Sequence, residues 1–211
     1  SLSEVQLVPV EFDAVQPMMA ALRDVWFKPY IQATGNSLDF LKEVAPKKIV
    51  LVGSPEYQNG SFKLGQAEGG RKILLLNVNN FDASNENELK EALHTIVHEF
   101  THILHQTKLF NQEYQTISTG RYNSNWTLLN DSEARHQGFI TNYAMLNKDE
   151  DFAEMVSGIL VFGYEWFKDT VLAEAAKSTE NPHAKADLEA KLAIVNSYFK
   201  ETWNIEFFDN E

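Results

Sequence analysis

Apolar residues recur at helical spacing through most of the chain and predict its main elements. Met18, Leu22 and Trp26 give Val15–Ile31 one apolar face, with a bend expected at Pro29 because proline lacks a backbone N–H. The same period predicts further helices over Ser37–Val44, Asn87–Lys108, Asp131–Tyr143, Asp149–Glu165 and Pro182–Thr202.

Short β-branched and apolar runs bounded by turn-forming residues predict strands over Lys48–Val52, Ser61–Ala67 and Arg71–Asn77. An Asn59-Gly60 pair precedes the second run, and Gly69-Gly70 separates it from the third. Such pairs favour tight hairpin turns. We therefore expect a small, mostly antiparallel sheet of about three strands.

The order of the elements predicts an α+β fold in a single domain over residues 1–211. Residues 1–83 hold the first helices and the sheet, and residues 84–211 hold a long helix followed by a helical C-terminal half. Between these helices, the polar stretch Asn111–Asp131 has no periodicity. Its aromatic side chains could cover a cleft or pack the loop onto the protein.

Composition excludes several classes of function. The formal charge of −12 argues against nucleic acid as a partner, because such a surface repels phosphate. No apolar run approaches the roughly 18 residues of a membrane helix. With no cysteine in the sequence, a metal would need histidine and carboxylate ligands. The start at Ser1, without an initiator methionine, is consistent with a signal peptide that has been removed.

The candidate chemistry lies on the long helix, in the run His98-Glu99-Phe100-Thr101-His102. Histidines four residues apart project from one face of a helix and can meet one Zn²⁺ ion. Glu99 follows the first histidine and is placed to act as a general base on a water molecule. The apolar residues around the motif predict that it is buried, where unpaired polar groups are costly and a metal would satisfy them.

A simpler interpretation of the motif is a helix whose histidines bond neighbouring carboxylates. His94 and His105 lie near the same face, and we interpret both as packed or hydrogen-bonded histidines rather than ligands. The metzincin pattern is excluded, because it requires glycine at His105 and histidine at Lys108.

A catalytic zinc usually has three protein ligands, so a later carboxylate is expected. Glu150 and Glu154 share a helix face, and Glu150 is the preferred ligand, with Glu154 and Glu133 as alternatives. Glu154 stands among apolar residues, and we expect it to accept the free N–H of a ligand histidine. An acidic first turn that only complements the helix dipole is the simpler interpretation of Asp149, Glu150 and Asp151.

The segment Gly138–Ala144, followed by Glu150–Glu154, resembles the region after HExxH in lethal-factor-like zinc peptidases. Together with Leu64–Gly70 and His98–Gln106, it is similar to zinc metallohydrolases known as substrate-import-associated lipoproteins of gut-type bacteria. This likeness spans roughly Phe62–Tyr164 and implies a zincin-like fold of the type with a glutamate third ligand.

The resemblance also implies a role for Tyr143, as a distant zinc ligand or as a phenol that stabilises an oxyanion. A tyrosine packed at a helix end is the alternative. It further implies a protein held outside the cytoplasm by a lipid anchor at a bacterial outer membrane, with signal and anchor absent here, and an outer-membrane uptake complex as partner.

These observations predict a zinc-dependent hydrolase that cleaves amide bonds in a peptide or protein substrate. An edge strand of the predicted sheet could take up an extended peptide as a further strand. The alternative function is a non-catalytic accessory protein of an uptake system whose zinc site is vestigial or structural. A third possibility is a hydrolase with the same chemistry that acts on an ester or a non-peptide amide.

Overall fold

Helices and strands form largely where the apolar pattern predicts them, and the α+β class is confirmed. The computed structural model describes residues 7–58, 61–63, 65–68 and 72–207. The chain divides after Thr107 into two compact units, which are described separately below. The prediction of a single domain over residues 1–211 stays a prediction.

The first unit begins with a continuous helical segment in place of the predicted Val15–Ile31 helix. It runs as α1 Phe12–Ala21, a π-helical turn Leu22–Phe27 and α2 Lys28–Ala33. Pro29 lies at the start of α2, directly after the π-helical turn. The remaining elements are α3 Asp39–Val44, β1 Lys48–Leu51, β2 Glu56–Gln58, β3 Ser61–Lys63, β4 Gly65–Glu68, β5 Lys72–Leu75, a 3₁₀ turn Val78–Asn80 and α4 Glu86–Thr107.

The main sheet has the order β1-β5-β4. The prediction of a mostly antiparallel sheet is wrong for the pair β1 and β5. Strands β1 and β5 are parallel, with Ile49 opposite Ile73, whereas β4 runs antiparallel to β5. Between β1 and β5 the chain forms the separate β2-β3 hairpin and then β4, which runs opposite to β5. The predicted turns at Asn59-Gly60 and Gly69-Gly70 lie outside the described residues.

An aromatic cluster packs against the face of α4 that lies opposite His98. Phe100 is fully buried and meets Trp26 and Tyr30 edge to face, with ring centroids 5.1 and 5.0 Å away. Phe40 approaches the same ring at 6.2 Å. Phe100 lies two residues after His98, so it projects from the opposite side of the helix. This packing holds the rotation of α4 and therefore the direction of its histidines.

The second unit is helical. Its elements are α5 Glu113–Ile117, a 3₁₀ turn Trp126–Leu128, α6 Asp131–His136, a 3₁₀ turn Tyr143–Met145, α7 Lys148–Phe162, α8 Tyr164–Trp166, a π-helical turn Phe167–Leu172, α9 Ala173–Ala175, α10 Ala184–Ser197 and a final π-helical turn Tyr198–Thr202.

Two predicted helices end early, and both end at a glycine with positive φ. The helix predicted over Asp131–Tyr143 stops at His136, because Gly138 has φ +88° and Phe139 N–H bonds the Ala134 carbonyl. The helix predicted to Glu165 stops at Phe162, before Gly163 with φ +91°. A left-handed residue cannot continue a right-handed helix, so the chain turns at each point.

The loop predicted over Asn111–Asp131 is ordered by its aromatic residues. Tyr114 is fully buried and packs against Phe110 and Phe152. Tyr122 contacts Phe139 with ring centroids 5.4 Å apart. These contacts support the interpretation that the loop aromatics are anchors. No helix among the described residues is both long enough and apolar enough to cross a membrane.

Candidate metal centre

The two motif histidines of α4 converge. His98 and His102 are buried, and their Nε2 atoms lie 3.1 Å apart. Two nitrogens bound to one zinc ion at about 2.0–2.1 Å and a tetrahedral angle lie about 3.3 Å apart. The observed separation therefore matches a pair of nitrogens that share one ion.

A third histidine, His105, orients His102. The Nδ1 atom of His102 lies 2.9 Å from Nε2 of His105, and both rings are buried. If Nδ1 of His102 donates in this bond, its Nε2 carries a lone pair toward His98 and the metal position. A ligand histidine usually gives its other N–H to such an acceptor, which fixes the ring. His105 thus takes the hydrogen-bonded role that the sequence predicts for it.

Glu99 lies between the two histidines in sequence and is 9 % exposed. A carboxylate this enclosed is shielded from bulk water, which strengthens its interactions with nearby charge. The aromatic packing of Phe100 holds the turn that carries Glu99.

The candidate third ligand, Glu150, begins α7. Asn147 caps this helix by accepting the backbone N–H groups of Asp149 and Glu150, at 2.9 and 3.0 Å. The cap fixes the first turn and leaves the Glu150 side chain half-buried. The Glu150 carboxylate, like the imidazoles of His98 and His102, is a group of a type that can ligate a metal ion.

This donor set fits zinc. Two imidazole nitrogens and one carboxylate oxygen form a common protein ligand set of catalytic zinc, which keeps a further position for water or substrate. The set contains no sulfur ligand, consistent with a chain that has no cysteine. The three residues could therefore hold a zinc ion.

The other predicted site residues, Glu154, Tyr143 and Glu133, all lie in the second unit. Glu154 is buried and accepts a hydrogen bond of 2.7 Å from the Thr141 hydroxyl. Tyr143 lies in a single 3₁₀ turn, and its ring packs edge-on against Trp126 with centroids 4.9 Å apart. Glu133, the weakest ligand candidate, is exposed and forms a capping box with Asn130.

A buried ion pair beside Glu150 escapes sequence reasoning. Asp151 and Lys191 are fully buried, and their Oδ2 and Nζ atoms lie 2.7 Å apart. Lys191 also donates to the Gly138 carbonyl at 2.7 Å, and Tyr122 donates to Asp151 at 3.1 Å. In the sequence, Lys191 is one of several charged residues of α10, a setting that is typical of an exposed position.

Burial dominates the pKa shifts of this pair. It raises the pKa of Asp151, although the attraction of Lys191 opposes the shift. It lowers the pKa of Lys191, and Asp151 opposes that shift in turn. Burial also raises the pKa of Tyr122, with the nearby Asp151 charge as the next cause. Tyr122 therefore stays protonated and keeps its hydrogen bond to Asp151.

Comparison with known proteins gives two matches. Residues 1–208 match the family model described as "putative zinc-binding metallo-peptidase". The chain is also similar to a crystal structure of a putative zinc-binding metallo-peptidase from Bacteroides caccae ATCC 43185. The two are 32% identical, the match covers 98% of this chain and 77% of the other, and the TM-score is 0.77. A comparison with curated proteins gives no match.

Proposed function

The chain belongs to the family described as "putative zinc-binding metallo-peptidase", and from this premise we propose that it hydrolyses peptide bonds with a zinc ion held by His98, His102 and Glu150. The observation that carries the proposal is the 3.1 Å separation of the two histidine Nε2 atoms on a buried helix face. A carboxylate as the third ligand completes the set that catalytic zinc usually has, and the chain has no cysteine to supply sulfur in its place. In this proposal the architecture is zincin-like, and a later helix supplies a glutamate as the third ligand.

When bound, zinc supplies Lewis acidity, which polarises a carbonyl and lowers the pKa of a water molecule. The residues of the chain supply the remaining steps. The carboxylate of Glu99 accepts a proton from the attacking water and returns it to the leaving amine nitrogen. His105 keeps His102 in the tautomer that leaves Nε2 for the metal, through the 2.9 Å contact.

Tyr143 is the proposed hydrogen-bond donor to the carbonyl oxygen as negative charge develops on it. The support for this role is its spacing from Glu150 in the resemblance to lethal-factor-like peptidases. The packing of its ring on Trp126 limits the motion of the phenol, which favours a donor with a fixed direction. Glu154 is proposed to accept from a ligand histidine, with the Thr141 hydroxyl holding its Oε2 atom.

An extended peptide is the proposed substrate, taken up along the edge strand β4. In the order β1-β5-β4 this strand has a partner on one side only among the described residues. An exposed edge offers backbone groups to a peptide that adds as a further strand. Anchoring at a bacterial outer membrane beside an uptake complex remains a proposal that rests on the sequence resemblance alone.

The experiment compares the zinc-loaded wild type with Glu99→Gln on a mixed peptide library, with cleavage read by mass spectrometry. The wild type should cut the library. Glu99→Gln should keep its zinc and lose at least about 10²-fold of the rate, because the general base is absent. Glu113→Gln, an exposed carboxylate on α5, serves as a matched control and should cut at the wild-type rate.

Two results would contradict the proposal. Equal cleavage by Glu99→Gln and the wild type would remove Glu99 from the chemistry. Reproducible peptide binding with no cleavage by a zinc-loaded wild type would favour the non-catalytic accessory protein instead.

A further inference from the structure

A cavity of about 310 Å³ opens beside the N-terminal half of α4. Its lining includes Glu91, Ala92, Thr95 and Ile96 from that helix. Thr95 comes three residues before His98, so both lie on neighbouring parts of one helix face. At a rise of about 1.5 Å per residue, the cavity begins roughly 4.5 Å along the helix from the metal motif.

The inner wall of the cavity is apolar. Met18 of α1, Leu75 of β5 and Ile96 of α4 contribute side chains that are otherwise buried, and Phe81 adds an aromatic ring. Such a wall is suited to the methylene stem of a long side chain. The occupant must carry a polar head, because the rim of the same cavity is polar.

The rim carries two carboxylates with different roles. Glu88 is already used, since its oxygens accept from the backbone N–H of Asp82 at 2.9 Å and from the Asn85 amide at 3.0 Å. Glu91 is exposed, and its carboxylate has no cation or hydrogen-bond donor among the described residues. The one carboxylate that remains available therefore stands where an apolar wall meets solvent.

We propose that this cavity binds the side chain of a lysine or arginine close to the scissile bond of a peptide substrate. The methylene stem lies against Met18, Leu75 and Ile96, and the cationic head pairs with Glu91. This inference rests on the proposed peptidase function, because the metal motif defines the scissile position. An extended peptide advances about 3.3 Å per residue, so the cavity is within reach of a residue one or two positions from that bond.

The overall charge supports a cationic ligand. The chain carries a formal charge of −12, which draws basic peptides toward its surface. A neutral apolar side chain would fill the inner wall but leave Glu91 unpaired at the rim. A long side chain with a cationic end satisfies both parts of the cavity.

The test uses peptide pairs that differ by lysine or norleucine at each position around a cleaved bond. Norleucine keeps the stem and removes the charge. The ratio of kcat/KM for lysine over norleucine should be roughly two- to fivefold at one position, as expected for a partly exposed ion pair. Glu91→Gln should bring this ratio to about one. Glu86→Gln should keep the wild-type ratio, because Glu86 lies on the same helix but pairs with Lys90 and does not line the cavity.

A binding measurement separates this inference from the peptidase proposal. Fluorescence anisotropy of the same labelled pairs is measured on Glu99→Gln and on Glu99→Gln/Glu91→Gln. A lysine preference that disappears in the double variant supports the cavity even if no peptide is ever cut. No lysine preference in either cleavage or binding, or a preference that survives Glu91→Gln, would overturn the inference.

Discussion

The Lys191–Asp151 pair gives a stability prediction whose size follows from the structure. Replacing Lys191 by methionine keeps most of the volume of the side chain and removes its charge. The Asp151 carboxylate then stays fully buried, and the Tyr122 hydroxyl still donates to it at 3.1 Å. The Gly138 carbonyl loses its 2.7 Å bond to the ammonium as well.

Each of these losses has a known scale. Removing one partner of a buried ion pair costs about 3–5 kcal/mol, because the other charge is left uncompensated. A buried carbonyl without its donor adds to this by up to about 1–3 kcal/mol where no water replaces the donor. Protonation of Asp151 reduces the cost, since burial already raises the pKa of this carboxyl. We therefore expect a loss of about 3–5 kcal/mol, a large part of the roughly 5–15 kcal/mol that stabilises a domain.

Urea unfolding followed by circular dichroism measures this loss. The control is Lys185→Met in the same helix α10, where the lysine is half exposed and 3.7 Å from Glu189. It should cost no more than about 1 kcal/mol. The double variant Lys191→Met/Asp151→Leu removes both charges and should recover most of the loss. A cost below about 1 kcal/mol for Lys191→Met, or a double variant less stable than the single one, would refute this reasoning.

Three further predictions concern the metal helix and the turns. His105→Phe should weaken zinc binding by about 10–100-fold in chelator competition, because His102 loses the acceptor of its Nδ1–H group. His183→Phe changes an exposed residue of the second unit and serves as the control. An equal loss of zinc affinity in both variants would contradict the prediction. Gly138→Ala should cost about 1–3 kcal/mol in urea unfolding, since φ is +88° and the new Cβ meets Asp187 at 3.2 Å. Gly120→Ala shares the positive φ without close neighbours, so an equal cost would rule out crowding. The pKa of Asp82 lies below its ordinary value because a serine hydroxyl and N–H donate to it. The stability that Asp82 contributes is therefore present above the pKa of the unfolded state and is lost as the pH falls through the pKa of the folded state. An NMR titration that gives Asp82 its ordinary pKa would contradict this prediction.

Local signals in the sequence account for the metal helix. The predicted range Asn87–Lys108 differs from α4 by one residue at each end. Asn85, directly before α4, accepts the backbone N–H of Asn87 at 3.1 Å. Helix periodicity, capping residues and the spacing of His98 and His102 each depend on a short stretch of sequence. They can therefore be recognised without knowledge of the fold.

The direction of β1 relative to β5 is not local. It depends on the path of the chain through β2, β3 and β4, and the alternation of side chains is the same for either direction. The predicted antiparallel pairing holds for β4 and β5, which are close in sequence, and fails for the distant pair.

The ion pair of Lys191 and Asp151 is hidden for the same reason. In sequence, Asp151 belongs to an acidic first turn that suits the helix dipole, and Lys191 lies in a helix with many charged residues. Their burial depends on the packing of α7 and α10 within the second unit. The early end of α6, in contrast, could be anticipated from Gly138, because glycine often ends a helix with positive φ.

The most direct test of the central claim is the zinc content of the purified protein after incubation in micromolar zinc and dialysis. The account predicts about one zinc ion per chain in the wild type and in Glu99→Gln, and little in His98→Ala, His102→Ala or Glu150→Ala. A wild type that stays free of zinc, or a Glu150→Ala variant that binds it as tightly as the wild type, would contradict the proposed ligand set.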